Sequence, residues 1–193
     1  MEKKTVSNTR LIAEGGITLA IAIVLSFLKI EMPWMIYGGS ISFVMVPLAL
    51  MSLRNGAKWG SLTAFAFGIF KLILGFENVG YCATLLAQIG CIFLDYVLAY
   101  TCIGLAGLFA ACFVKKNRIV GHVFGTVVAG LLMFVCSFLS GWLLWGSYAP
   151  EGMNVLWYSF VYNISYMGPN ILIAAVVIGI LSGAAPKLFR VEQ

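Results

Sequence analysis

The chain has 193 residues, of which 62% are hydrophobic and 10% charged, and its mean hydropathy is +1.01. A water-exposed domain carries about a quarter charged residues. The composition therefore excludes an ordinary cytosolic enzyme, a disordered chain and a secreted disulfide scaffold, and predicts an integral membrane protein. The formal charge of +5 is read as a signal for orientation in the lipid bilayer, with no nucleic-acid partner.

Crossing the hydrocarbon core takes roughly 20 apolar residues in a helix. Six runs reach or approach that length, at about 10–30, 39–53, 56–76, 83–113, 119–147 and 155–185. A transmembrane barrel would alternate apolar and polar residues over strands of about ten, and no such alternation occurs, so the predicted fold class is all-α. The first run is read as a retained helix, because Glu14 interrupts its start and no small-residue cleavage site follows it. The second is short, and Pro47 removes a helical hydrogen bond, which predicts a short or bent helix. The last three are long enough to tilt or to project beyond the bilayer. No linker or strong repeat divides the chain, so residues 1–193 are expected to form a single membrane domain.

Charge sets the orientation. Lys3, Lys4, Arg10, Arg54, Lys58, Lys115, Lys116, Arg118, Lys187 and Arg190 all fall on one side of a six-span chain, leaving Lys29 and Lys71 elsewhere. Basic loops stay in the cytoplasm, so six transmembrane helices with both termini cytoplasmic are predicted. Five or seven spans would scatter the basic loops over both faces.

Catalytic signatures are missing. The sequence contains no GxxxxGK[ST], GxSxG or HExxH, the patterns that would cradle a nucleotide, expose a nucleophile or hold zinc. Cys82, Cys91, Cys102, Cys112 and Cys136 form no CxxC and have no histidine cluster beside them, so free thiols packing as small hydrophobes are expected, with no metal and no cofactor. His122, the one histidine, reads as structural. The residues point to transport or ligand binding, not to an enzyme.

Three features carry that reading. Asp95 lies within the apolar stretch FLDYVLAY, and a carboxylate at that depth faces a cavity or a partner such as Lys71. Trp142, Trp145, Tyr148, Trp157, Tyr158, Tyr162 and Tyr166 crowd the last two runs. Tyr158, Tyr162 and Tyr166 recur every four residues and share a helix face, with Asn163 beside it. An interfacial belt accounts for Trp142, Tyr148 and Trp157 but not for the deeper Tyr162 and Asn163. Carboxylate, amide and indole together suit a small aromatic or cationic ligand, because indole faces attract cations. In GGITLAIAIVLSF, Gly16 and Ala20 sit four apart, a small-xxx-small surface for close helix packing within the chain or against another.

The runs GGSISFVMVPLALMSLRNGAKWG, FLDYVLAYTCIGLAGLF and FLSGWLLWGSYAPEGMNVLWYSFVYN resemble the thiamine-specific S component of energy-coupling factor (ECF) transporters over nearly the whole chain. The resemblance implies a multi-pass protein of the bacterial plasma membrane that captures a vitamin at the extracellular face. Such a component docks to a transmembrane coupling subunit carrying two cytoplasmic ATPases and topples to release its cargo. Hydrolysis of ATP by partner chains accounts for the missing nucleotide motif. The resemblance assigns Asp95 to the aminopyrimidine, followed by Tyr96. It assigns Trp145 to stacking on the thiazolium ring, with Gly141 beside it. Tyr158 and Asn163 carry over from the last helix, Asn163 toward a hydroxyl or hydroxyethyl group, and Tyr162 lies between them. Gly16 and Ala20 occupy the positions that contact the coupling subunit.

Two positions depart from the family pattern. Ser137 stands where a histidine is expected, and Cys91 where a glutamine is common, with Gln88 one turn earlier as a substitute. Losing a matched hydrogen-bond partner can change ligand preference substantially. The alternative ligand is therefore another small heteroaromatic, a vitamin B6 form or the pyrimidine precursor of thiamine. A stand-alone secondary transporter is a further alternative, for which 193 residues leave little room for paired repeats.

Overall fold

The computed structural model describes residues 7–31, 33 and 38–189; Lys3, Lys4 and Arg190 lie outside the described residues. Helix α1 (Asn8–Phe27) starts where Ser7 accepts a hydrogen bond from the Thr9 amide. Beyond α1, Ile30 and Ile41 exchange two backbone hydrogen bonds of 2.9 Å as an isolated antiparallel bridge. Helix α2 (Met45–Asn55) leads through Gly56, at φ +86°, into α3 (Ala57–Leu74). A short α4 (Phe76–Val79) precedes α5 (Leu85–Cys91), which Thr84 caps. The chain continues without a break into a π-helical stretch, Ile92–Leu98, and then into α6 (Ala99–Ile103) and α7 (Ala106–Ala110). Two long helices complete the bundle: α8 (Arg118–Leu143), capped by Asn117, and α9 (Val155–Ala184), capped by Asn154. Single 3-10 turns follow each, at Gly146–Tyr148 and Pro186–Phe189.

Five segments among the described residues are long and apolar enough to cross a membrane: Asn8–Phe27, Ala57–Leu74, Leu85–Ile103, Arg118–Leu143 and Val155–Ala184. They match the first, third, fourth, fifth and sixth expected runs. The second, expected at 39–53, is an 11-residue helix beginning at Met45, with non-helical chain at 39–43 before it. Pro47 causes no bend, because it sits in the first turn of α2, where its missing N–H would have had no helical partner. The fourth run, expected unbroken over 83–113, turns at Gly104–Leu105. There a Cβ on Gly104 would overlap the backbone of Ser61, and Ser52 Oγ donates to the Gly104 carbonyl and accepts from the Gly107 amide. One serine thus satisfies the backbone groups that the break releases, which an apolar surround requires.

The interior is built from small and medium side chains. Ala22, Leu48, Ala49, Ala64, Phe67, Ile103, Ala106, Ala129, Ile171 and Ala174 form its centre. Large aliphatic side chains face outward, Leu85 being 73% and Leu86 80% exposed. That inversion suits lipid, which solvates Leu and Ile but cannot pair a backbone or a hydroxyl.

One end of the bundle holds an ionic cluster. Glu14 accepts from Arg10 at 3.0 Å, Arg54 at 2.9 Å and Asn55 at 2.9 Å, and Arg54 also donates to the Leu188 carbonyl at 3.0 Å. Arg54 at the end of α2 therefore returns to the start of α1. Close to the same terminal segment, His122 is buried, with Nδ1 3.0 Å from Ser182 Oγ and its ring stacked 4.3 Å from Phe189. This packing fits the structural role read from the sequence.

Candidate functional site

A cavity of about 500 Å³ opens between α3, the π-helical stretch, α8, α9 and the non-helical chain before α2. Its size is that of a small-molecule site. The π-helical stretch positions the buried carboxylate. An i→i+5 turn widens the helix and occurs often at functional sites, and Asp95 and Tyr96 both project from this one into the cavity. Asp95 accepts from Ser140 Oγ at 2.5 Å and from Cys91 Sγ at 3.4 Å. None of the ion pairs among the described residues includes Asp95, so Lys71 is not its partner. The carboxylate is held by neutral donors, with no cation paired to it among the described residues.

The second wall comes from α8 and α9. A Cβ on Gly141 would overlap Ser159 Oγ, which donates to the Phe138 carbonyl at 2.7 Å. Glycine here lets the two long helices approach and keeps that bond. Trp145, just past the end of α8, lies 5.8 Å from the Tyr148 ring. Tyr158, Tyr162 and Tyr166 form a ladder along α9 with successive rings 5.8 Å and 6.3 Å apart. Asn163 is buried with its amide engaged inside the helix, Nδ2 donating to the Ser159 carbonyl at 2.9 Å and Oδ1 accepting from Tyr166 at 2.8 Å. It holds Tyr166 in place and has little free hydrogen-bonding capacity left for a hydroxyl.

The connection between α1 and α2 closes another side. Tyr162 donates to the Gly38 carbonyl at 2.7 Å, while Asn170 donates to the Ser40 carbonyl and accepts from the Ser42 amide, both at 2.8 Å. Gly39, at φ +91°, leaves room for the Tyr166 ring, which a Cβ would meet at 2.8 Å.

Asp95, Tyr96, Ser137, Gly141, Trp145, Tyr158, Tyr162 and Asn163, the ligand contacts read from sequence, all line this cavity. Cys91 lines it too. Gln88 does not, donating instead to the Cys82 carbonyl at 3.3 Å. Gly16 and Ala20 lie elsewhere, exposed on α1, and a Cβ on Gly16 would meet nothing within 4 Å. Trp142 and Trp157 are also exposed and outside the cavity, as a belt residue should be. The sequence reading missed Asn78, Tyr100 and Asn170 as lining residues. Asn170 could have been found, since it continues the four-residue spacing of Tyr158, Tyr162 and Tyr166. Tyr100, four residues after Tyr96, could have been found on the same spacing, whereas Asn78 carried no comparable signal.

A helical bundle with outward-facing aliphatic residues and an aromatic cavity bearing one deep carboxylate is an all-α membrane protein with the S-component fold. A solved structure described as the S component of a bacterial ECF transporter superposes with a TM-score of 0.56 at 18% identity, over 94% of this chain and 95% of that one. The chain belongs to the thiamine transporter protein family (Thia_YuaJ), whose profile matches residues 12–190. It is 34% identical over 187 residues to the thiamine transporter ThiT of Bacillus subtilis (strain 168), covering 93% of this chain and 94% of the relative. It is 31% identical over 156 residues to the thiamine transporter ThiT of Lacticaseibacillus paracasei, covering 77% and 76%. A solved ThiT from Listeria monocytogenes superposes with a TM-score of 0.75 at 25% identity, over 95% of this chain and all of that one. The family resemblance read from the sequence is borne out. The family is one of multi-pass membrane transporters, not of enzymes.

Proposed function

We propose that this chain is the substrate-binding S component of an ECF-type vitamin importer, and that it holds thiamine in the cavity between Asp95 and the α9 tyrosine ladder. Both termini lie in the cytoplasm, the cavity opens outward, and a coupling subunit with two ATPases drives delivery. The observation that carries this reading is the meeting of Asp95 and Trp145 at one cavity. An aminopyrimidine donates hydrogen bonds, which a carboxylate with several acceptor sites can take. A thiazolium is a flat cation, which an indole face attracts by about 2 kcal/mol when desolvated. Orientation is supported by the ionic cluster of Arg10, Arg54 and the Leu188 carbonyl at one end of α1, with Lys29 and Glu31 at the other.

The test is ligand identity. Purified protein titrated with thiamine, pyridoxine and the hydroxymethyl pyrimidine of thiamine should show saturable quenching of tryptophan fluorescence with thiamine. Mass spectrometry should find thiamine or a close derivative co-purifying. Cys91 and Ser137, both at the cavity wall, support the alternative ligands, and a response to pyridoxine without one to thiamine would establish them. Uptake by vesicles that contain this chain but no ATPase partner would overturn the S-component role and leave a secondary transporter.

A further inference from the structure

Glu14 is the one carboxylate within α1, and the cavity does not use it. Arg54, in the last turn of α2, grips it with a two-pronged contact, Nε donating to Oε2 at 2.9 Å and Nη2 to Oε1 at 3.2 Å. Asn55 adds a bond from Nδ2 to Oε2 at 2.9 Å. The remaining guanidinium nitrogen, Nη1, donates to the Leu188 carbonyl at 3.0 Å. The same side chain therefore also ties the end of α2 to the turn Pro186–Phe189 that follows α9. The pair lies mostly out of solvent, with 23% of the Glu14 side chain and 21% of the Arg54 side chain exposed. Arg10 reaches Glu14 as well, at 3.0 Å, but from within α1 and with 40% of its side chain exposed.

Little else holds α1. Only Leu11, Ala22 and Ser26 are buried among its 20 residues, and lipid supplies no hydrophobic force between helices. Successive residues of a helix are about 100° apart around its axis, so the rotation of α1 decides which of its small residues face the bundle. Gly15 faces inward, where a Cβ would lie 3.1 Å from Thr63 Oγ1 of α3, whereas Gly16 faces outward with nothing within 4 Å. A planar guanidinium in a bidentate contact accepts only a narrow range of carboxylate positions. Turning α1 by one residue would break that contact and exchange the two faces. We propose that Glu14 is a positioning residue for transport: its pairing with Arg54 fixes the rotation of α1, and with it the outward presentation of Gly16 and Ala20 to the coupling subunit. This rests on the reading of the chain as an S component and adds to it the residue pair that sets the docking face.

The experiment measures thiamine binding by tryptophan quenching, and ATP-driven uptake in vesicles containing a coupling module, for the parent, Glu14→Gln, Arg54→Gln, Arg54→Lys and Arg10→Gln. None of these residues lines the cavity. Glu14→Gln and Arg54→Gln should keep thiamine affinity within about threefold of the parent and lose about tenfold of uptake, the equivalent of one strong charge-assisted contact. Co-purification with the coupling module should fall in step with uptake. Arg54→Lys keeps the charge but not the fork, and should lose uptake too, where a role for charge alone would preserve it. Arg10→Gln should match the parent, because a contact inside α1 cannot set how α1 is turned. The proposal is overturned if Glu14→Gln or Arg54→Lys transports like the parent, or if Arg10→Gln loses as much uptake as Arg54→Gln. It is also overturned if Glu14→Gln loses thiamine affinity and uptake together, which would make the pair a general support of the fold. A parent that binds thiamine but shows no ATP-driven uptake would overturn the S-component reading itself, and this proposal with it.

Discussion

Asp95 combines depth, negative charge and neutral hydrogen-bond donors, and each has a separate cause. Depth follows from its place mid-way along an apolar segment. The neutral surround follows from Ser140 on α8 and Cys91 one turn back on α5. Asp95→Asn keeps the shape and one carbonyl acceptor but removes the charge. Hydrogen bonds to charged groups are worth about 1.5–3 kcal/mol, so thiamine affinity should fall on the order of 10- to 100-fold with little change in melting temperature. Unaltered thiamine binding in that variant would remove Asp95 from the site. Gly141 acts through volume. Gly141→Ala should destabilise by about 1–3 kcal/mol of overpacking, read as a lower melting temperature, despite alanine's better helix propensity. Ser159→Gly should restore part of the loss, and no rescue would mean that the clash with Ser159 is not the cause.

At the scale of elements, the cavity depends on departures from regular helix. The π-helical stretch and the turn at Gly104–Leu105 were read from sequence as plain helix, and the chain at 39–44 as the start of a short or bent one. Their causes are contacts from distant residues: Ser52 at the turn, and Tyr162 and Asn170 on the chain before α2. Hydrophobic periodicity contains no trace of them, because a π-helix and an α-helix use the same apolar residues. The caps were different. Ser7, Thr84, Asn117 and Asn154 are all helix-starting residue types, and each accepts a hydrogen bond from an amide at the start of its helix. Asn170→Ala should remove two hydrogen bonds to the connection, together about 1–3 kcal/mol. The expected result is faster thiamine dissociation in stopped-flow fluorescence, with the overall helicity unchanged. A parental dissociation rate would show that this connection does not retain the ligand.

For the whole molecule, the proposed function makes the outer surface of α1 the place where binding and transport should separate. Gly16 and Ala20 are exposed and remote from the cavity, and Gly16 has open space around it. Gly16→Leu and Ala20→Leu should leave stability and thiamine binding at parental values while reducing ATP-driven uptake by at least tenfold in vesicles containing a coupling module. Loss of binding in either variant would instead assign this surface to packing within the chain. Composition alone determined that the protein belongs in a membrane, because 10% charge cannot clothe a surface in water. The distribution of those charges predicted which chain ends share a side, and short motifs identified the family and its candidate ligand contacts. Only the tertiary structure decided that the second apolar run becomes helical only from Met45 and that Asn163 spends its amide within its own helix. It alone brought Lys71 to the same cavity as Asp95 without pairing them. Local patterns report burial and period, whereas hydrogen-bond partners depend on which distant segments meet.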